Sequence, residues 1–329
     1  MERLRQDDPP QIGPYVTLAR VDADGDRQPV PDRRYIARSS DGERTVVVCL
    51  PRVDADPMRW AVEAEGARRS SLPGLAPVTE VGGSAAFPWH AMPYVPTLPL
   101  PAALALHAGP LPETVVRSLG AALATTLATA HEQGVTHAGL SPTAVLLGAE
   151  GPLLASFGAV RAAAPDGEQR TGLPGLEPSC LAPEQAQGGR PRPLGDVYAL
   201  GAVLSYASTG HTVPEREELP ASLRSLITAC LSRDAAKRPP AAQLAAELAA
   251  EQAVPTPMAV PAPPMASSAP PMAVPTPPGQ PATVLDTPPT PSPSPSPLLA
   301  LPPSLVVALA RQSADLLATQ LPQQPTEVS

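Results

Sequence analysis

Proline sets the first limit on what this chain can fold into, because it accounts for 49 of 329 residues. Its ring removes a backbone donor and breaks the interior of helices and strands, so a chain this rich in it is not packed throughout. From about 253 to 297 the composition collapses to Pro, Ala, Ser, Thr, Met and Val, and Met258-Ala259-Val260-Pro261 returns loosely as Met272-Ala273-Val274-Pro275. Such a stretch buries too little side chain to offset the entropy of ordering, and extended, polyproline-II-rich chain is expected there. Beyond it, Ser304 to Gln320 places Leu305, Val306, Leu309, Leu316 and Leu317 on related helical faces. Two outcomes are open for that segment: a helix that docks, or a marginal one that frays.

The core must therefore come from residues before 253, and composition says what it is made of. Apolar residues make up 43% of the chain but aromatics only 3%, so Ala, Val and Leu form it. They bury less area per residue than aromatic side chains do, and modest stability follows. The formal net charge is −8 and no basic block stands out, which disfavours nucleic acid as a partner. Cys49, Cys180 and Cys230 lie far apart with no metal-ligand spacing; scattered thiols of this kind fit a reducing compartment. No apolar run follows Met1-Glu2-Arg3-Leu4-Arg5, and the best candidate span, Leu298 to Ala310, is short and contains Pro302 and Pro303. The expectation is a cytoplasmic protein with no membrane span.

Along the chain, the period changes from two to that of a helix. Tyr15–Val21 alternates like a half-buried strand, Tyr35–Arg38 is extended, and Ser39-Ser40-Asp41-Gly42 offers a hairpin turn into the β-branched run Thr45–Leu50. Pro57–Arg69 is helical, and Pro77–Val81 and Ala91–Val95 look like strands. A long Ala/Leu helix covers Glu113–Gln133 with Gly134 at its C-cap, followed by a small hairpin of Val145–Leu147 and Leu153–Ala155. Helices then dominate, at Asp196–Ser208, Pro220–Leu231 and Ala241–Gln252. A β-rich part before a helix-rich part implies an α+β, two-lobed domain.

Five short motifs in the second part carry chemistry. Thr136-His137-Ala138-Gly139-Leu140-Ser141-Pro142-Thr143-Ala144-Val145-Leu146-Leu147 resembles the catalytic loop HRDLKPxNVLL of bacterial serine/threonine protein kinases. Ser156-Phe157-Gly158 stands where DFG belongs, and Leu181-Ala182-Pro183-Glu184-Gln185-Ala186 resembles the APE end of the activation segment. Asp196-Val197-Tyr198-Ala199-Leu200-Gly201 is similar to that family's buried helix, and Asp234-Ala235-Ala236-Lys237-Arg238-Pro239 to its closing motif. Each is weak alone; five in order and spacing are not. The resemblance covers Ile12 to Gln252. It implies an N-lobe over 12–96 after an extension of residues 1–11, a C-lobe over 97–252, a proline-rich linker over 253–297 and a tail over 298–329.

The resemblance also says where phosphoryl-transfer groups should stand, since a kinase needs an orienting carboxylate, two metal-holding side chains, a phosphate lysine and a glycine loop. Those positions hold Gly139 for the aspartate, Ser141 for the adjacent lysine, Ala144 for the asparagine, Ser156 for the DFG aspartate and Cys49 for the strand lysine. The nucleotide cleft would be vestigial at Val21, Asp22, Gly25, Cys49 and Tyr94. Its loop, Asp22-Ala23-Asp24-Gly25-Asp26-Arg27, brings three carboxylates toward a triphosphate, where each close like-charge pair costs about 1 kcal/mol even in water. The aspartates lack the other ligands of a calcium loop and belong to a solvated turn. Residues that hold the family's fold together are kept: Glu63, His137, Phe157, Gly158, Glu184, Asp196 and Arg238. Glu63 has lost its lysine and is expected to be solvated or paired with an arginine. His137 has no carboxylate or nucleophile beside it in the motif and belongs to the core, as Cys49 belongs to its strand. Glu177 stands where the family has a substrate-placing threonine.

Three functions follow as expectations. The first is a catalytically inactive kinase-like domain, a pseudokinase, that binds protein partners in bacterial serine/threonine kinase signalling and needs no cofactor and no metal. The second is a divergent kinase binding ATP and Mg²⁺, with Asp24 or Asp26 for metal and Arg27 or Arg34 for phosphates. The third is a scaffold acting through the proline-rich tail.

Overall fold

The computed structural model describes residues 2–21, 29–250 and 300–318; Asp22, Gly25, the rest of the aspartate turn and the proline-rich linker lie outside them. The first lobe is a six-stranded antiparallel sheet in the order β1-β2-β3-β4-β6-β5. Its strands are β1 (Gln11–Ile12), β2 (Tyr15–Arg20), β3 (Asp32–Ser39), β4 (Thr45–Pro51), β5 (Glu80–Gly83) and β6 (Pro88–Pro93). The β-branched strand β4 is central, pairing with β3 on one side and β6 on the other. Its alternation serves two faces: Val46 and Val48 pack with Ile12, Tyr15 and Tyr35, while Cys49 packs with Trp60, Ala64 and Met92. Trp60 and Ala64 come from α1 (Pro57–Arg69), whose first amides are satisfied by the Asp56 carboxylate. The N-terminal segment packs on this lobe: Tyr35 donates to Asp8, and Glu2 forms an isolated bridge with Arg20.

Two expectations shift here. The strand read at Pro77–Val81 lies at Glu80–Gly83, and that at Ala91–Val95 begins earlier, at Pro88. Pairing decides both, since Met92 is fixed opposite Val47 and Ala91 opposite Glu80; a one-residue slip would turn every side chain to the wrong face.

The second lobe is helical, with a small three-stranded sheet of β7 (Thr97–Pro99), β8 (Val145–Gly148) and β9 (Gly151–Leu154) at its border. Helices α2 (Leu100–His107) and α3 (Glu113–Glu132) follow β7. After β9 come α4 (Ala159–Ala163), α5 (Pro183–Ala186), α6 (Pro193–Thr209), α7 (Ala221–Cys230) and α8 (Ala241–Ala250). Their largest core joins Leu119, Leu123 and Leu127 of α3 to Leu200 and Leu204 of α6 and Leu244 and Leu248 of α8. Small residues let the helix backbones close up: a β-carbon at Gly120 would stand 2.9 Å from both Leu204 and Leu248. The last helix, α9 (Pro303–Ala318), docks back on the domain, burying Leu305, Leu309 and Leu316. No described helix is long and apolar enough to cross a membrane.

Candidate functional site

Asp196 organises the site. It lies in the first turn of α6, where the helix dipole favours a carboxylate, and is 1% exposed. Its two oxygens accept the backbone N–H groups of His137 and Ala138, each at 2.8 Å, and its Oδ2 also meets His131 Nε2 at 2.9 Å. The loop carrying Gly139, Ser141 and Ala144 is thus held from beneath by a buried charge. His137 is fully buried, edge-on to Phe157 with ring centroids 5.8 Å apart. Burial pushes its pKa down to about 4, with Asp196 opposing that shift, so the imidazole is a neutral packing group.

Backbone strain gathers where the 136–144 loop meets Ser156. Ala138 and Ser156 both have left-handed backbone, at φ 52° and 60°, a conformation that costs a non-glycine residue about 1–3 kcal/mol. A β-carbon on Gly139 would run into the Ser156 carbonyl oxygen. Ser141 is buried, with its hydroxyl 3.1 Å from that of Thr143, and Ala144 is fully buried. Among the described residues, the buried Ser156 hydroxyl has no hydrogen-bond partner.

Arg34, Cys49, Glu63, Ser156 and Phe157 converge on one cavity of about 60 Å³ between α1 and β9. Cys49 is 1% exposed in β4. Opposite it in register on β3 stands Arg34, 4% exposed, with Nη1 3.5 Å from the Thr143 carbonyl oxygen. Glu63 pairs with Arg161, whose Nη2 and Nε lie 2.7 and 2.8 Å from Oε2. The same guanidinium donates to the Thr136 carbonyl at 3.0 Å and lies 5.0 Å over the Phe157 ring. One cation therefore ties α1, Ser-Phe-Gly and the 136–144 loop together. Gly158 (φ 76°) leaves room for the pair, because a β-carbon there would strike the Glu63 carboxylate. We expect Arg161→Ala to lower unfolding free energy by about 2 kcal/mol, as a partly buried carboxylate loses its partner. Urea denaturation of wild type and variant checks this.

Further out, Arg238 grips Glu184 through two bonds, Nη1–Oε1 2.6 Å and Nη2–Oε2 2.9 Å, and its guanidinium lies 5.0 Å over Tyr198. Burial alone would raise the Glu184 carboxyl, but the Arg238 hydrogen bonds outweigh it and hold the group below its ordinary value. Glu177 caps the turn at Pro178–Cys180 by accepting from the Ser179 amide. Val21, whose N–H bonds the Arg34 carbonyl at 3.0 Å, lines a separate concavity with Thr143. Tyr94 follows β6; its buried hydroxyl has no hydrogen-bond partner among the described residues, and burial pushes its pKa up to about 12. Among the described residues, no group of three His, Cys, Asp or Glu side chains is placed to hold a metal ion. Sequence reasoning missed Arg161. The available signal was Glu63, for which an arginine partner was one of the two expectations.

No family model matches the chain. It is 33% identical over 271 residues to the serine/threonine-protein kinase AfsK of Streptomyces coelicolor, covering 76% of this chain and 33% of that protein. AfsK of Streptomyces griseus is 33% identical over 257 residues, or 71% of this chain and 31% of the relative. PknK of Mycobacterium tuberculosis is 35% identical over 187 residues, 56% of this chain and 17% of the relative. The chain spans about a third of the length of the curated relatives it matches over most of its own length. Its homologues are bacterial serine/threonine protein kinases, and with the antiparallel sheet and helices above, the domain is kinase-like.

Proposed function

We propose that this kinase-like domain is a catalytically inactive regulatory module, a pseudokinase, that works by binding protein partners in bacterial serine/threonine kinase signalling. The observation that carries the reading is the closure between Gly139 and Ser156. The position of the orienting carboxylate is glycine, and the neighbouring backbone carbonyl fills the space a side chain would need. The remaining positions offer a methyl group at Ala144, a buried hydroxyl at Ser156 and a buried thiol at Cys49. That donor set does not fit Mg²⁺, which takes carboxylate and phosphate oxygens in octahedral geometry. Meanwhile Asp196, Glu63 and Glu184 all have partners that brace the fold. A domain with its frame braced and its chemistry removed is suited to recognition.

One observation favours a second reading, a divergent kinase that still binds nucleotide. Arg34 brings a buried cation to the cleft from the strand beside Cys49, and a guanidinium pairs well with phosphate oxygens.

Thermal melting of the full chain, titrated with ATP with and without Mg²⁺ or Mn²⁺, separates the two. The pseudokinase reading expects a flat Tm and no phosphate transfer to the chain or to a generic protein substrate. A saturable rise following the mass-action form, lost in Arg34→Met, would replace it with the second reading.

A further inference from the structure

Helix α1 is apolar on two faces. The inner one buries Trp60 and Ala64 against Cys49 and Met92 of the sheet. On the outer one Met58 and Val62, one turn apart, stay 67% and 64% exposed, and Val53, in the turn before the Asp56 cap, is 87% exposed. A single exposed apolar side chain is ordinary, but three within ten residues mark a surface for contact.

Gly66 continues the row of Met58 and Val62 by one more turn. It is half-buried, and among the described residues a β-carbon there would meet only the edge of Phe157, at 3.4 Å. Alanine would therefore fit, and glycine inside a helix costs about 0.5–1 kcal/mol relative to it. What glycine supplies instead is bare backbone beside Val62, where a second helix can come close.

The charges around this row are sorted by sign. Arg59 lies three residues before Val62 and Glu65 three residues after it, so they flank the row on opposite sides. In the commonest class of helix packing, rows of residues four apart interdigitate with the axes about 50° apart. Let the second helix be another α1, related by a two-fold axis along the row. The two 58–62–66 rows then lie side by side, and Arg59 of each copy stands beside Glu65 of the other, twice over. A foreign amphipathic helix could match the apolar row but has no reason to match that double exchange.

Both charges already have neighbours on their own surface. Arg59 Nη1 lies 3.2 Å from Asp56 Oδ2 and its Nε donates to the Ala162 carbonyl, while Glu65 Oε1 lies 2.7 Å from Arg68 Nη2. The side chains of both ion pairs are more than a third exposed, so these local pairs are worth little, and a carboxylate keeps acceptor sites for a second guanidinium.

We propose that the outer face of α1 is the contact through which two copies of this chain associate about a two-fold axis. One pair of helices lies at the small end of the range of specific interfaces, so the association is weak and depends on concentration. None of Met58, Arg59, Val62 and Glu65 lines the cleft cavity, and the inference stands whether or not the cleft takes nucleotide.

Sedimentation equilibrium of the full chain from about 1 to 300 µM reads the association directly. We expect the average mass to climb toward that of two chains, and Val62→Asp to move the midpoint at least about tenfold higher in concentration. Arg59→Glu and Glu65→Arg should each do the same, since either alone sets like charges together twice. The variant carrying both exchanges should return to within about threefold of the original midpoint. A one-to-one mixture of Arg59→Glu chains with Glu65→Arg chains should form a mixed dimer, although each pairs poorly with itself. These side chains lie at the surface, so melting followed by circular dichroism should move by only a few degrees in each variant. A chain that stays monomeric across the range would overturn the proposal and leave the face to a different protein. So would dimers indifferent to all three single substitutions, or a mixture in which the two variants ignore each other.

Discussion

Lowering the pH from 6.5 to 4 will cost the protein about 3 kcal/mol of stability through His137 alone. The side chain is fully buried, and its pKa in the fold is about 4 against an ordinary 6.5. Above pH 6.5 the imidazole is neutral in folded and unfolded chain alike, and nothing is lost. Between 6.5 and 4 the unfolded chain binds a proton that the folded chain refuses, so stability falls across that window at up to one proton's slope. A difference of 2.5 units, from the ordinary 6.5 to the buried value of about 4, corresponds to roughly 3 kcal/mol. His90, stacked on Trp60 with ring centroids 5.0 Å apart, is also pushed down to about 4 by burial, and adds in the same direction. Glu184, held below its ordinary value, loses its contribution at still lower pH, as its carboxyl takes a proton and releases Arg238. Urea midpoints between pH 4 and 8 measure the slope. His137→Gln, which takes no proton, should flatten it; an unchanged slope in that variant would remove His137 as the cause.

That titration depends on features the sequence shows unevenly. The long helices are legible because their signals are local: Asp56 before Pro57 caps α1, and Gly134 follows the last turn of α3 with φ 73°. The 136–144 loop and Asp196 are legible as motifs, although their contact spans 58 residues. Helix α2 has no such mark. Leu-Pro-Ala-Ala-Leu-Ala-Leu-His is almost uniformly apolar and carries a proline, so no period separates it from a buried strand. The docking of α9 is invisible for another reason, since its anchor, Arg38, lies 278 positions away and nothing local marks that arginine out. The same holds for Arg161 and Arg170, single cations in Ala-, Gly- and Pro-rich stretches whose purpose appears only when distant carbonyls and carboxylates converge on them.

Arg170 has the larger consequence of those two, and Arg170→Ala is expected to lower unfolding free energy by about 3–5 kcal/mol. The side chain is wholly buried. Its Nε and Nη2 donate to the Ala164 carbonyl at 3.3 and 3.1 Å, and its Nη1 to the Gln185 and Gly189 carbonyls at 3.3 and 2.8 Å. Nη2 also reaches Asp166 at 3.0 Å. Five bonds thus run from one guanidinium to both ends of the segment between α4 and the turn after α5. Truncation would leave three carbonyls without that donor in a space too tight to hydrate freely, and would add a cavity. Arg170→Lys should recover less than half of the loss, because an ammonium cannot reproduce a planar fork spread over three carbonyls. Urea denaturation gives the magnitude, and hydrogen exchange over 164–189 shows whether the loss begins there. A loss below about 1 kcal/mol would mean that backbone contacts such as the Arg170 amide on the Ala186 carbonyl close the segment unaided. The expected result instead makes the order of this segment a property of the chain's own arginine, held by the five bonds of one guanidinium.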